Sequence, residues 1–129
     1  MQMLFQGDLG KQEPDEVRRL FWASVMDVDA ETRGFAEDLY RIATTRMAEI
    51  DALIEQHSQN WRLERMPVVD RNLLRCGIGE MLGYPKTPAA VVINESLEVA
   101  KRYAAPESIH FLNGVLDAVA RDLLKARLG

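Results

Sequence analysis

The chain has 129 residues, 47% of them apolar and 28% charged, with a formal charge of −4. That is enough for one domain with one modest core, it is too apolar for a disordered segment, and no apolar run nears the roughly 20 residues a bilayer crossing needs. A lone cysteine, Cys76, excludes an internal disulfide and a thiolate cage, and no signal-peptide order opens the chain, so a cytoplasmic domain without metal or cofactor is expected.

Residues 1–9 read as a helix already under way, with Met1, Leu4 and Phe5 on one side, ended by a break at Gly10 and Lys11. Pro14 suits the first turn of a second helix, in which Val17, Leu20, Phe21 and Val25 recur at helical spacing until residues 27–29 stop it. Asp29 can cap a third helix whose apolar stripe, Phe35, Leu39, Ile42, Met47, Ile50, Leu53 and Ile54, runs almost to His57 with a bend near Met47. After a turn at residues 58–60, Trp61, Leu63 and Met66 are expected to anchor a connection into a helix opening at Pro67.

That next helix should be the most buried, because Val68, Val69, Leu73, Leu74, Ile78, Met81 and Leu82 cover more than one stripe. Gly83 and Pro85 supply its stop signal. Thr87 and Pro88 predict a cap and first turn, and Val92, Ile93, Leu97 and Ala100 carry the helix to about Tyr103. The last helix is the clearest, with Ile109, Leu112, Leu116, Val119 and Leu123 on one face at steps of three and four. Six or seven helices joined by short loops, with no strand-like alternation, predict a single all-α domain of packed bundles.

No Gly-rich phosphate loop, HExxH or GxSxG motif is present, and His57 and His110 fall in different helices, so no catalytic residue is assigned. Glu95 and Glu98, one turn apart, read as a solvated face, and Cys76 as a core thiol. The charge is uneven: residues 1–60 hold 6 Lys/Arg against 12 Asp/Glu, whereas residues 61–129 hold 10 against 8. A basic face for a polyanion can come only from the second half.

In the last helix Phe111 falls outside the apolar stripe, while Asn113, Asp117 and Arg121 follow at steps of four on one edge. An exposed ring can stack on an unpaired base and the polar edge can read it; equally, Phe111 can fill a second core face with Val115. Lys101 and Arg102 at the end of the preceding helix suit the carbonyl end of its dipole, or ribose-phosphate binding. An antiparallel packing of the two helices would bring these cations close to Phe111.

Residues 88–101 (PAAVVINESLEVAK) followed by residues 110–117 (HFLNGVLD) resemble the C-terminal signature of the NusB family, and residues 66–75 (MPVVDRNLLR) and 1–9 (MQMLFQGDL) resemble earlier parts of that family in the expected order. The resemblance spans essentially the whole chain. It implies about seven helices in two small bundles, no enzymatic activity, and transcription antitermination by binding boxA-type single-stranded RNA of nascent ribosomal RNA transcripts. It implies as partners NusE, a small-subunit ribosomal protein, and through it the RNA polymerase antitermination complex; a homodimer stays open.

By position, Phe111, Asn113 and Asp117 fall in the family's RNA-facing motif, with Glu107 just ahead of it. The RNA candidates are therefore Gln2, Lys101, Arg102, Glu107, Phe111, Asn113, Asp117 and Arg121, and the partner candidates are Phe5 and Asp70. Asn94 and Glu95 are expected to cap and tie helices. The family's Arg-rich arm ahead of the first helix is absent from residues 1–129: either Met1 is an internal methionine of a longer protein, or phosphate contacts are lost and weakened RNA binding is expected. Two other readings of the same resemblance are a helical protein-interaction module and the accessory domain of an rRNA methyltransferase; for the latter, no Gly-rich strand-to-helix turn of a catalytic module is present.

Overall fold

The computed structural model describes residues 2–10, 13–24, 29–59 and 61–128, without the side chains of residues 9, 19, 20 and 22–24. Met1, Lys11, Val25, Asp27 and the Leu20 side chain, on which parts of the sequence reading rest, lie outside the described residues. Seven helices follow in order: α1 Gln2–Gly10, α2 Pro14–Ser24, α3 Ala30–Thr45, α4 Met47–His57, α5 Val68–Gly83, α6 Ala89–Tyr103 and α7 Ser108–Leu128, with a 3-10 turn at Leu63–Arg65. No strand occurs among the described residues.

Local chemistry sets most boundaries. Asp29 caps α3, its carboxylate accepting from the Thr32 N–H at 2.8 Å and from the Thr32 hydroxyl at 2.9 Å. The expected bend is a break at Arg46, where the Thr44 and Thr45 hydroxyls donate back to the Tyr40 and Arg41 carbonyls at 2.9 and 2.8 Å and compete with the backbone ladder. Ser58, 1% exposed, closes the following turn: its hydroxyl donates to the Trp61 carbonyl at 2.7 Å, and its own carbonyl accepts the Trp61 N–H at 3.2 Å.

Two expectations need correction, and a third is met by an unexpected route. Thr87 does not cap α6; Pro88 occupies the boundary with no side-chain cap, and its carbonyl accepts the Val91 and Val92 N–H groups. Gly83 is the last residue of α5, where the stop signal was expected, and it ends the helix without a positive φ. A Cβ at Gly83 would overlap Ile42 Cδ1, so the missing side chain serves the close approach of α5 to α3. Phe35, placed in the core stripe by its spacing, is 45% exposed and rests against the Tyr84 ring at 5.2 Å.

Two apolar clusters result. The larger is built from α4 to α7 around Ile50, Ile54, Leu74, Ile78, Leu112 and Leu116; the smaller joins Met3, Leu4, Val17, Tyr40 and Ala43 from α1 to α3, with half-buried Cys76 of α5 against it. Helix α5 lies between them and packs on α1, α3, α4, α6 and α7. Gly77 lets α7 and α6 close in, with Leu116 Cδ2 and Ser96 Oγ each 3.0 Å from where its Cβ would stand.

A polar clamp fixes α5 to its neighbours. Arg71 donates to both Asp8 oxygens at 2.6 and 2.8 Å, Asn72 and Arg75 reach Asp8 Oδ2 at 3.0 and 3.2 Å, and Arg75 also donates twice to Asp51 of α4 at 2.9 and 3.1 Å. At the far end Arg127 of α7 donates to the Met81 carbonyl of α5 at 2.8 Å, and His57 of α4 meets Asp122 of α7 at 2.6 Å.

The Arg71 hydrogen bond holds the Asp8 carboxyl below its ordinary value of 3.8, against the opposing effect of burial. A depressed carboxylate stabilises the fold above its unfolded value, and that stabilisation is lost as pH falls through the lower folded value, so the window lies below about pH 4. Asp8→Ala should therefore cost about 2–3 kcal/mol in urea unfolding at pH 7, less than a fully buried pair because the side chains keep 11–17% exposure, and markedly less below pH 4.

Candidate nucleic-acid interface

The short connection from α6 to α7 places the start of α7 over the start of α5. Phe111 packs on the larger core cluster with one side and meets the Trp61 ring at 6.3 Å with an interplanar angle of 54°. Phe111 therefore both fills core and lines a surface cavity. Trp61 was expected as an anchor and is instead 54% exposed, its backbone held by Ser58 and its ring laid on Phe111.

The two rings form one wall of a cavity of about 270 Å³, with Pro67, Asp70, Glu107 and Ser108 among its other lining residues. Asp70 corrects the expectation of a partner-facing carboxylate: it is only 3% exposed, and its Oδ1 has no hydrogen-bond partner. Burial pushes its pKa above the ordinary 3.8, with the Ser108 hydroxyl opposing part of that rise by hydrogen-bonding the carboxyl.

The remaining candidates separate into other regions. Gln2 and Arg102 line a second cavity of about 710 Å³ together with exposed Tyr103, on the side of the smaller cluster. Half-buried Phe5 lies on the same helix as Gln2. Lys101 is exposed and paired with Glu98 at 2.9 Å. The antiparallel approach of α6 and α7 thus does not gather Arg102 and Phe111 into one cavity. Asn113 is exposed, whereas Asp117 and Arg121 bind each other at 2.7 Å, and Arg121 borders a third cavity at the far end of α7. Asn94 and Glu95 are exposed on the rim of the 710 Å³ cavity, and neither ties helices together by a side-chain hydrogen bond among the described residues.

Sequence reasoning missed Trp61 as a surface group. The available signal was its place in a turn-rich connection, outside any helical period, where no facing stripe demands a buried ring.

These features define an all-helical domain of two clusters hung on one central helix, with an aromatic ledge over a sealed carboxylate. The NusB family model matches residues 1–121. The transcription antitermination protein NusB of Koribacter versatilis is 57% identical over 123 residues, covering 95% of this chain and 84% of that protein. Among solved structures, T. maritima NusB superposes with a TM-score of 0.82 at 32% identity, covering 93% of this chain and 84% of that one. A crystal structure of the antitermination factors NusB and NusE in complex with dsRNA matches with a TM-score of 0.78 at 28% identity, covering 93% and 89%. The chain belongs to the NusB family of transcription antitermination proteins.

The carboxyl of Asp70 offers a test by stability. Its folded pKa lies above its unfolded one, so the charge it must carry at neutral pH opposes folding, and that cost grows as pH rises from about 4. Asp70→Asn should stabilise the fold by about 1 kcal/mol at pH 7 in urea titrations and by almost nothing at pH 4; a loss of stability at pH 7 would show that the carboxylate is held by favourable partners.

Proposed function

We propose that this chain acts in transcription antitermination by binding boxA-type single-stranded RNA of nascent ribosomal RNA transcripts together with NusE, and so helps RNA polymerase resist premature termination. The observation that carries the reading is the aromatic ledge at the start of α7, where Phe111 and exposed Trp61 stand beside a cavity within the HFLNGVLD segment. Exposed rings bind unpaired bases, at about 1–3 kcal/mol per stacked base, whereas a duplex keeps its bases turned inward. Two solved neighbours support the partner assignment: the NusB–NusE complex with dsRNA, and a structure described as a plectonemic RNA supercoil, which this chain matches with a TM-score of 0.81 at 28% identity.

The mechanism is assembly without bond-making, on transcripts in the bacterial cytoplasm. Phe111, with Asn113 beside it on the exposed edge and Glu107 at the cavity rim, forms the RNA contact. Lys101, Arg102 and Gln2 serve the RNA strand where it passes the end of α6, and Arg121, paired with Asp117, lies further along α7. Phe5, half-buried on α1, belongs to the partner-facing side.

Titration of labelled boxA-type RNA at two salt concentrations, with and without purified NusE, tests the reading. Selective binding strengthened by NusE is the expected result, and equal affinity for a scrambled RNA would favour a helical interaction module. Phe111→Ala should weaken RNA binding about tenfold while circular dichroism stays nearly unchanged. Collapse of helicity in that variant would mean the ring serves the core alone.

A further inference from the structure

The cavity beside Phe111 has a chemical sign that the ledge alone does not explain. Its polar side-chain groups are the Asp70 and Glu107 carboxyls, the Ser108 hydroxyl and the indole N–H of Trp61. No Lys or Arg lines it. Asp70 is 97% buried by its 3% exposure, yet Oδ1 receives no donor from the protein. A buried acceptor left unpaired costs about 1–3 kcal/mol, so the fold carries a standing penalty at this atom that a donor from outside would relieve.

We propose that this cavity is a base-reading pocket that takes the pairing edge of one unpaired guanine, its ring stacked on Trp61 or Phe111 and its N–H groups donated to Asp70 and Glu107. The inference rests on the RNA-binding reading above and names the base which that site selects. The choice of base follows from edge chemistry. Guanine is the one standard base with two adjacent donors, N1–H and the N2 amino group, on its pairing edge. Cytosine and adenine offer one amino group beside a ring nitrogen acceptor, and uracil flanks its single N3–H with two carbonyl oxygens that would face carboxylates.

The geometry limits how the base enters. The rings are inclined at 54° with centroids 6.3 Å apart, so they offer no parallel slot between them, and the base lies on the outer face of one ring. A volume of about 270 Å³ accommodates a planar purine against that face. Because the Trp61 backbone is fixed through Ser58 while its ring is 54% exposed, rotation of the ring about its side-chain bonds is the motion that uncovers Asp70. A cationic side chain from a protein partner would satisfy the same carboxyl groups, but it would not need two ring faces at the mouth.

The test uses the full chain with purified NusE and a boxA-type single-stranded oligonucleotide in which each guanine in turn is replaced by inosine, which lacks only the N2 amino group. At one position the replacement should weaken binding about tenfold for the unaltered protein and at most twofold for Asp70→Asn. Trp61→Leu, altering an exposed ring whose loss leaves the core intact, should weaken the parent RNA about tenfold and keeps the idea testable should Asp70→Asn misfold. Inosine RNAs bound as tightly as the parent would overturn the pocket while leaving RNA binding itself standing. So would an Asp70→Asn protein that loses NusE in the absence of RNA yet keeps the inosine discrimination, since the cavity would then hold a protein side chain. No RNA binding by the unaltered protein at all would remove the functional reading and this pocket with it.

Discussion

Helix α5 has to be buried on two sides at once, and this constraint organises the rest of the molecule. Its apolar residues cover more than one stripe, so no single partner helix can shield them, and α1 and α3 close one side while α4, α6 and α7 close the others. Close packing on several sides leaves little room for side chains, which is why Gly77 and Gly83 stand where Leu116, Ser96 and Ile42 approach. Apolar packing alone would let α5 slide or rotate along its axis. The clamp of Arg71, Asn72 and Arg75 on Asp8 and Asp51 sets the register, because bidentate guanidinium–carboxylate contacts tolerate little displacement.

Register matters because the same helix carries Asp70 immediately before the clamp. Pinning Arg71 and Arg75 on the α1 and α4 side turns Asp70 toward the start of α7, where it meets Ser108 under the Trp61 and Phe111 rings. The well-paired carboxylate Asp8 and the buried carboxylate Asp70, whose Oδ1 has no partner, are thus products of one helix orientation. Burial raises the pKa of Asp70 where arginine lowers that of Asp8, and the contrast separates a charge that holds the fold from one the fold merely tolerates.

Much of the fold was legible from periodicity, since the stripes of α4 and α7 and the multi-sided pattern of α5 become the larger core as spacing predicts. Asp29 could be recognised as a cap because the interaction spans three residues of sequence. What stayed hidden was long-range. The partners of Asp8 lie 63 to 67 residues away, and nothing in the local pattern announces them. Phe35 misled because an aromatic residue at a helical period reads as core until tertiary packing decides whether a facing surface exists, and Trp61 because a large ring in a connection reads as an anchor. For the site, the motif around Phe111 was visible, but the split between the Arg102 and Phe111 cavities depends on helix rotation, which periodicity does not report.

An acidic pocket in an RNA-binding protein is less paradoxical than the −4 charge suggests. The pairing edge of a base and its own phosphate lie on opposite sides of the sugar, so a carboxylate touching the edge stands about a Debye length, ~8 Å at physiological salt, from the phosphate it repels. That repulsion is largely screened, and phosphates are left to basic side chains elsewhere on the surface, such as exposed Lys101 and Arg102 at the end of α6. At hydrogen-bond contact no ions intervene, and a carboxylate there strongly favours an N–H over a carbonyl oxygen. Affinity and selection are thereby assigned to different groups, with basic side chains and rings holding the strand while buried acceptors discriminate among its bases. A neutral pocket of the same shape would bind as well and choose less.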